Sequence, residues 1–262
     1  MAGLPFVVVP QALAQITCGN ERAEAPAGHL GEFLYRGMVW RSNGPGSLWV
    51  TFQRNATEPF DFVGILGASA RPGTTLRVRV GGSAGATTSA PDYDSGALPF
   101  ISPAITRRDG LYHAHHELGA ARGSQWVRID IGGHTGDFEA SMLVIGLKRQ
   151  VARYYETSWR TGVRDLGSIT IGRNGVPGIS LGTKLRTLEY TLGWVSEEEA
   201  ETMLAPLDEL LGRTTPCLTC FDPEPTAYRQ RRTFFGWNEE QPSIGKVAWN
   251  RYERAFQVLS LF

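Results

Sequence analysis

Cys217-Leu-Thr-Cys220 has the spacing at which two thiolates can share a metal ion or cycle through a disulfide, and Tyr112-His113-Ala114-His115-His116 could add imidazoles to it. Zinc needs four ligands, and no second cysteine pair exists. An extended strand would also splay the two thiols to opposite faces, and no helix opens at Cys217 as a redox motif requires. Buried small side chains are the plainer expectation for this pair. In a strand His113 and His115 share a face. His116 and Glu117 are neighbours and therefore point apart, so they form no relay. No Gly-x-Ser-x-Gly elbow supplies a nucleophile. Asp92, Asp94 and Asp109 are oxygen donors of the kind Ca²⁺ takes, with Asp92 and Asp94 in the short turn Pro91–Gly96, where a plain turn is the simpler account. Glu58 with Asp61, or Asp130 with Asp137, could be the two carboxylates of a glycosidase. Asp130 shares its strand face with Arg128, however, which reads as charge pairing. Neither enzymatic activity nor a cofactor is expected. Sugar recognition would instead use aromatic platforms among Tyr35, Trp40, Tyr93 and Tyr112. Trp40, Trp49 and Trp126 stand at strand starts and are expected in the core, which leaves Tyr35, Tyr93 and Tyr112 as the candidate carbohydrate-binding residues.

The elements that would hold these residues are mostly strands. Thr75–Val80 alternates strictly, with Leu76, Val78 and Val80 on one face and Arg77 and Arg79 on the other. Gln125–Ile131 alternates again. Ser47–Gln53, Asp61–Leu66 and Ser141–Lys148 are short apolar runs, and Gly81–Pro91 reads as an exposed loop. After Arg149 the pattern changes. Arg164–Ile171 and Lys184–Trp194 read as strands. Ser196 and Glu199 then form a capping box ahead of Met203, Leu204, Leu207, Leu210 and Leu211, and Gly212 closes the helix. Pro206 inside it predicts a kink or an early break. Strands resume over Pro216–Phe221, Arg232–Trp237 and Tyr252–Leu261.

Twenty-six basic and twenty-six acidic residues leave no net charge and no basic stripe for nucleic acid. Three cysteines are too few and too odd for a disulfide framework, which fits assembly in a reducing cytoplasm. No apolar run reaches the ~20 residues of a membrane span, so no membrane insertion is expected. The start of the chain lacks the basic flank of a signal peptide. Met1–Leu34 carries little regular pattern and reads as an arm that could wrap a neighbour, so deleting residues 1–20 should weaken assembly.

Trp40-Arg41-Ser42, SLWVTFQ, the strand ending Gly64-Ile65-Leu66-Gly67, QWVRIDIGG and FEASMLVIGLK together resemble the galactose-binding-like (discoidin-like) jelly rolls of tailed-phage particle proteins, over about residues 15–149. The later run from Trp194 through Ser196-Glu-Glu-Glu-Ala200 and Pro216-Cys-Leu-Thr-Cys-Phe-Asp-Pro223 echoes the second half of such proteins. The resemblance implies a mainly β chain, with a jelly-roll sandwich at 1–150 and a smaller α+β domain with one amphipathic helix at 151–262. It implies a structural, non-enzymatic tail-tip or baseplate component of a phage or gene-transfer-agent-like particle. Its partners would be the distal tail, hub, and tail fibre or tip proteins, with several copies in a symmetric assembly. The virion tail, assembled in the bacterial cytoplasm, would be its location. The same jelly roll also serves lectins, and its loops often hold calcium, so a host-surface glycan is the alternative partner, with Asp92 and Asp94 as candidate metal ligands.

Overall fold

The computed structural model describes residues 3–46, 48–55, 58–101, 105–107, 109–152 and 159–262. The chain divides into two compact units: Met1–Arg149 with Cys220–Thr233, and Gln150–Thr219 with Phe234–Phe262. It is mainly β, as the strand alternation predicts. Among the described residues no helix is long and apolar enough to cross a membrane.

Unit 1 is an antiparallel sandwich. Its strands are Phe6–Val8 (β1), Leu13–Gly19 (β2), Trp40–Arg41 (β3), Leu48–Arg54 (β4), Phe60–Ala68 (β5), Thr75–Gly81 (β6), Tyr93–Asp94 (β7), Leu98–Pro99 (β8), Tyr112–Arg122 (β9), Trp126–Gly132 (β10), Glu139–Ala140 (β11) and Met142–Gly146 (β12). One sheet runs β2-β4-β10-β6-β7, with β8 also on β6, and faces a three-stranded sheet β12-β5-β9. Val50, Val78 and Ile129 stand directly opposite one another across β4, β6 and β10. With Val63, Ile65, Leu143 and Ile145 of the other sheet they make a single buried cluster. A sandwich hides one face of each sheet, so the core-facing residues must recur every second position. That is the period seen in β6 and β10. On the outer face Asp130 accepts from Arg79 Nε at 3.0 Å and from Arg128 Nε at 2.9 Å, while the Arg128 guanidinium lies 4.2 Å from the Trp49 ring centre.

Two expectations need correction here. Gly81–Pro91 holds a single helical turn, Ala86–Ser89 (α1), whose Thr87 is buried. The Met1–Leu34 segment is also more regular than an arm. β2 pairs with β4, and Ala27 and Leu30 belong to the core cluster.

Unit 2 carries the strands Trp159–Asp165 (β13), Ser168–Ile171 (β14), Pro177–Ser180 (β15), Lys184–Val195 (β16), Cys217–Cys220 (β17), Thr233–Asn238 (β18), Ile244–Ala248 (β19) and Arg251–Ser260 (β20). The run expected as one strand from Arg164 to Ile171 is broken at Leu166-Gly167 into two. The order is β17-β18-β20-β16-β13, with β19 added to β20, while β14 and β15 form a separate hairpin. The capping box is present: the Glu199 N–H donates to Ser196 Oγ at 3.2 Å, and the Ser196 N–H donates to Glu199 Oε2 at 3.1 Å. The helix runs Glu197–Glu199, Ala200–Leu204 and Ala205–Leu211, and its middle section is a π turn. Pro206 has no N–H to give, and the wider turn just before it is how the helix continues instead of breaking. Leu204, Leu207 and Leu211 are buried, as are Leu188, Tyr190, Phe234, Phe256 and Val258 of the sheet. Arg254, 1% exposed, ties sheet to helix by donating from Nε to Asp208 at 2.5 Å, with its guanidinium over the Phe256 ring.

Candidate functional site

The structure places the residues singled out by chemistry in separate surroundings. Tyr93 and His116 come together: the Tyr93 hydroxyl lies 2.7 Å from His116 Nε2, and Arg122 stacks over the tyrosine ring at 4.6 Å. Asp92 joins them, its Oδ2 accepting from Ser124 Oγ at 2.9 Å and its carbonyl from Arg122 at 3.3 Å. Tyr112 is buried, and its hydroxyl accepts from the Arg107 N–H at 3.3 Å. Tyr35 stands open in a turn, 59% exposed.

Asp94 is gripped by both arms of Arg77 and by the Gly96 N–H, and the Arg77 hydrogen bonds hold its carboxyl down to about 2. Asp109 is held by Arg107. Among the described residues no group of three or more His, Cys, Asp or Glu is disposed to hold a metal ion. The other carboxylates are committed as well: Asp61 accepts from the Lys148 N–H at 2.8 Å, and Glu58 takes Arg149.

His115 Nε2 lies 2.8 Å from Thr233 Oγ1, whose one proton goes to the Arg229 carbonyl. The imidazole must therefore donate, which fixes its tautomer. Burial pushes the His115 pKa down to about 3, so the ring is neutral. His113 Nδ1 accepts from the Gly67 N–H at 3.2 Å. Burial pushes Cys217 up to about 11 and Cys220 up to about 12, where neither is a thiolate at neutral pH.

One grouping escaped sequence reasoning. At the end of the sandwich where β2, β4, β6 and β10 meet their loops, Asn20 Oδ1 accepts from the Asn43 N–H at 2.9 Å, and Asp137 Oδ1 accepts from the Gly44 N–H at 2.7 Å. Arg22 reaches both Asp137 and the Ser42 carbonyl, and Arg41 grips Glu139. Gly133, at φ +69°, lets this loop close on its neighbour, since a Cβ there would sit 2.3 Å from the Gly73 carbonyl oxygen. His134 lies in the same loop, and among the described residues neither of its buried ring nitrogens has a hydrogen-bond partner. Arg22 and Asp137 are 115 positions apart in sequence, and only the pairing of the intervening strands joins them.

A second grouping is apolar. All residues of β13, β14 and β15 are exposed. In the hairpin, Ile169 stands opposite Ile179 and Ile171 opposite Pro177, while Ser168 faces Ser180 and Thr170 faces Gly178. The hairpin is thus amphipathic, with an uncovered apolar side.

No family model matches the chain, and no curated protein does. Solved structures similar to it include the crystal structure of SpGH29 (12% identity, 53% of this chain and 28% of that one, TM-score 0.41). Two others are the N-terminal domain of the single-strand break repair protein XRCC1 (20%, 52% and 98%, 0.40) and a Streptococcus pneumoniae fucose binding module (7%, 53% and 95%, 0.39). Each likeness extends over about half of this chain.

Proposed function

We propose that the chain is a non-catalytic structural subunit that unit 2 docks into a larger protein assembly, of the tail-tip or baseplate kind that its motifs resemble. The observation that carries this reading is the uncovered apolar side of β14–β15. Ile169, Ile171 and Ile179 are 64–72% exposed and Leu181 94%. An isolated two-stranded hairpin is marginal in water, and a one-sided apolar ribbon gains stability only by covering that side. On β13 Trp159 and Val163 are exposed as well, 46% and 64%, and apolar groups left open in this way mark surfaces for a partner. Among the described residues the sheet order ends at β13, which makes it an edge strand. Neighbouring tail proteins and further copies around a symmetry axis are the partners this reading names.

The test is incorporation. Particles purified from the source cells should carry the wild-type chain, located by immunogold at the distal tail, and should lack an Ile169→Asp/Ile179→Asp chain of unchanged melting temperature. Equal incorporation of both, or a wild-type chain found free of particles, would overturn the reading.

A second reading, carbohydrate recognition by unit 1, is favoured by the loop end built from Asn20, Arg22, Asn43 and Asp137. Planar amide, guanidinium and carboxylate groups are what sugar hydroxyls pair with, and Tyr35 is an open ring in the same unit. A glycan array answered by the wild type and silenced by Asp137→Ala would promote this reading, and a flat array would remove it.

A further inference from the structure

We propose that Asn174 is a site of spontaneous covalent modification, in which its side-chain amide is lost to give aspartate and isoaspartate, and that the fold holds Asn43 against the same reaction. Asn43-Gly44 and Asn174-Gly175 are the two Asn-Gly steps of the sequence. In such a step the glycine nitrogen attacks the asparagine Cγ and gives up its proton. The Cγ–N bond of the side chain breaks, and ammonia leaves with that proton. The resulting succinimide ring then takes up a water molecule. Addition at one carbonyl gives aspartate, and at the other isoaspartate. Water is the only co-reactant, and glycine, having no Cβ, leaves its nitrogen open to the approach.

Both asparagines are exposed, so access to water does not separate them. The hold on each glycine N–H does. Asn174 lies in the turn between β14 and β15, where the Gly175 N–H donates to the neutral Gly172 carbonyl at 2.9 Å. Asn174 Oδ1 accepts from the Val176 N–H at 3.4 Å, which folds the side chain back along the Gly175 peptide. Gly172 makes room for it, because a Cβ there would stand 2.9 Å from that Oδ1. All residues from Ser168 to Ser180 are exposed, and among the described residues the hairpin pairs with no other strand. A ribbon of this kind is marginal in water and opens locally at little cost. In unit 1 the Gly44 N–H donates to the Asp137 carboxylate at 2.7 Å, and the Asn43 N–H donates to Asn20 Oδ1 at 2.9 Å. The Ser42 N–H donates to the Phe138 carbonyl at 2.9 Å, and Arg22 fixes Asp137. Loss of the Gly44 proton would set a negative nitrogen against a carboxylate, which like-charge repulsion disfavours. Attack there must first break a hydrogen bond to a charged group.

The full chain is held in mildly alkaline buffer, folded and in urea, and conversion at each site is followed by peptide mass mapping. In the folded chain Asn174 should convert at least about tenfold faster than Asn43, the rate ratio that one charge-assisted hydrogen bond supplies. In urea the two sites should draw level, since each is followed by glycine. Asp137→Ala should speed Asn43 in the folded chain and leave Asn174 unchanged, with slow hydrogen exchange in β10 showing that unit 1 stays folded. The comparison of folded with unfolded wild type does not depend on that variant, and neither arm depends on the assembly reading. Equal rates at the two sites in the folded chain overturn the proposal, as does a preference for Asn174 that persists in urea. So does an Asn43 rate indifferent to Asp137→Ala.

Discussion

In unit 1, β10 lies between β4 and β6 and turns Val127, Ile129 and Ile131 inward at 3% exposure or less. In unit 2, the hairpin β14–β15 has the same alternation of apolar and polar side chains, and its isoleucines stand open to solvent. One pattern has two outcomes because a strand's apolar face is buried only when a second layer exists to cover it. Unit 1 has that layer in β12-β5-β9. Unit 2 covers only part of its strands, with the helix that brings Leu204, Leu207 and Leu211 inward. Strand period therefore marks which side chains share a face, and exposure marks which faces no second layer of the chain covers.

The largest expected effect asks whether unit 2 has a committed core at all. Asp208→Ala would leave the Arg254 guanidinium buried without its carboxylate, and breaking such a pair costs about 3–5 kcal/mol. Peptide-resolved hydrogen exchange should show protection lost through β16, β20 and the helix, while unit 1 keeps its own. A small, local loss would mean that unit 2 is loosely packed throughout, and the contrast between the two units would then be one of order and not of coverage.

The contrast itself is tested by two identical truncations. Ile129→Ala removes a fully buried side chain from the sandwich and should cost about 3 kcal/mol. Ile169→Ala, at 71% exposure, should cost less than about 0.5 kcal/mol in the isolated chain. Chemical denaturation of both variants reads the difference. Comparable costs would show that the hairpin is covered within the free protein and would break the argument for an external partner.

Much of this was legible in the residues. Strict alternation gave β6 and β10, and Ser196 with Glu199 gave the helix start, because those signals are local and each has one physical cause. β2 was not legible: Gln15 sits at φ +45° in a bulge between Ala14 and Thr17, which breaks the two-residue period. β15 was missed because Pro177 and Gly178 are poor strand formers, and the strand is specified by its pairing with Ser168–Ile171. The loop-end grouping was illegible for another reason. Asn20, Arg22, Asn43 and Asp137 carry no motif in sequence, and they meet only because four strands end at one rim. Tyr93 and Tyr112 show the converse: residue type suggested a platform, and the fold gave one hydroxyl to His116 and the other to Arg107.

A pH series sharpens the account of unit 1. Burial holds His115 at about 3, below its ordinary 6.5, so the unfolded chain takes up the proton first. The stabilising contribution is full above pH 6.5 and is lost as pH falls from there toward 3, by about 1 kcal/mol over the first unit or so. His116 and His134, also lowered by burial, act in the same direction. His115→Phe should flatten the decline between pH 6.5 and 5 without abolishing it. An unchanged slope would mean that the ring is more open than its contact with Thr233 implies.

The smallest effect concerns how unit 2 obtains its partial cover. Ser196→Ala removes the hydroxyl that accepts the Glu199 N–H, while the Glu199 carboxylate still accepts from the Ser196 backbone N–H and the Ala152 N–H. Loss of such a cap costs about 1 kcal/mol. The three glutamates of the first turn still oppose the positive end of the helix dipole, so the helix should persist and only its first turn should fray. Exchange should quicken at residues 197–200 and stay slow at Leu207 and Leu211, which are fixed by burial. If protection instead fell along the whole helix, its attachment to the sheet would depend on its start and not on the Asp208–Arg254 pair. The partial cover of unit 2 would then be hinged at Ser196, able to lift as one piece and lengthen the apolar face already open at β13–β15.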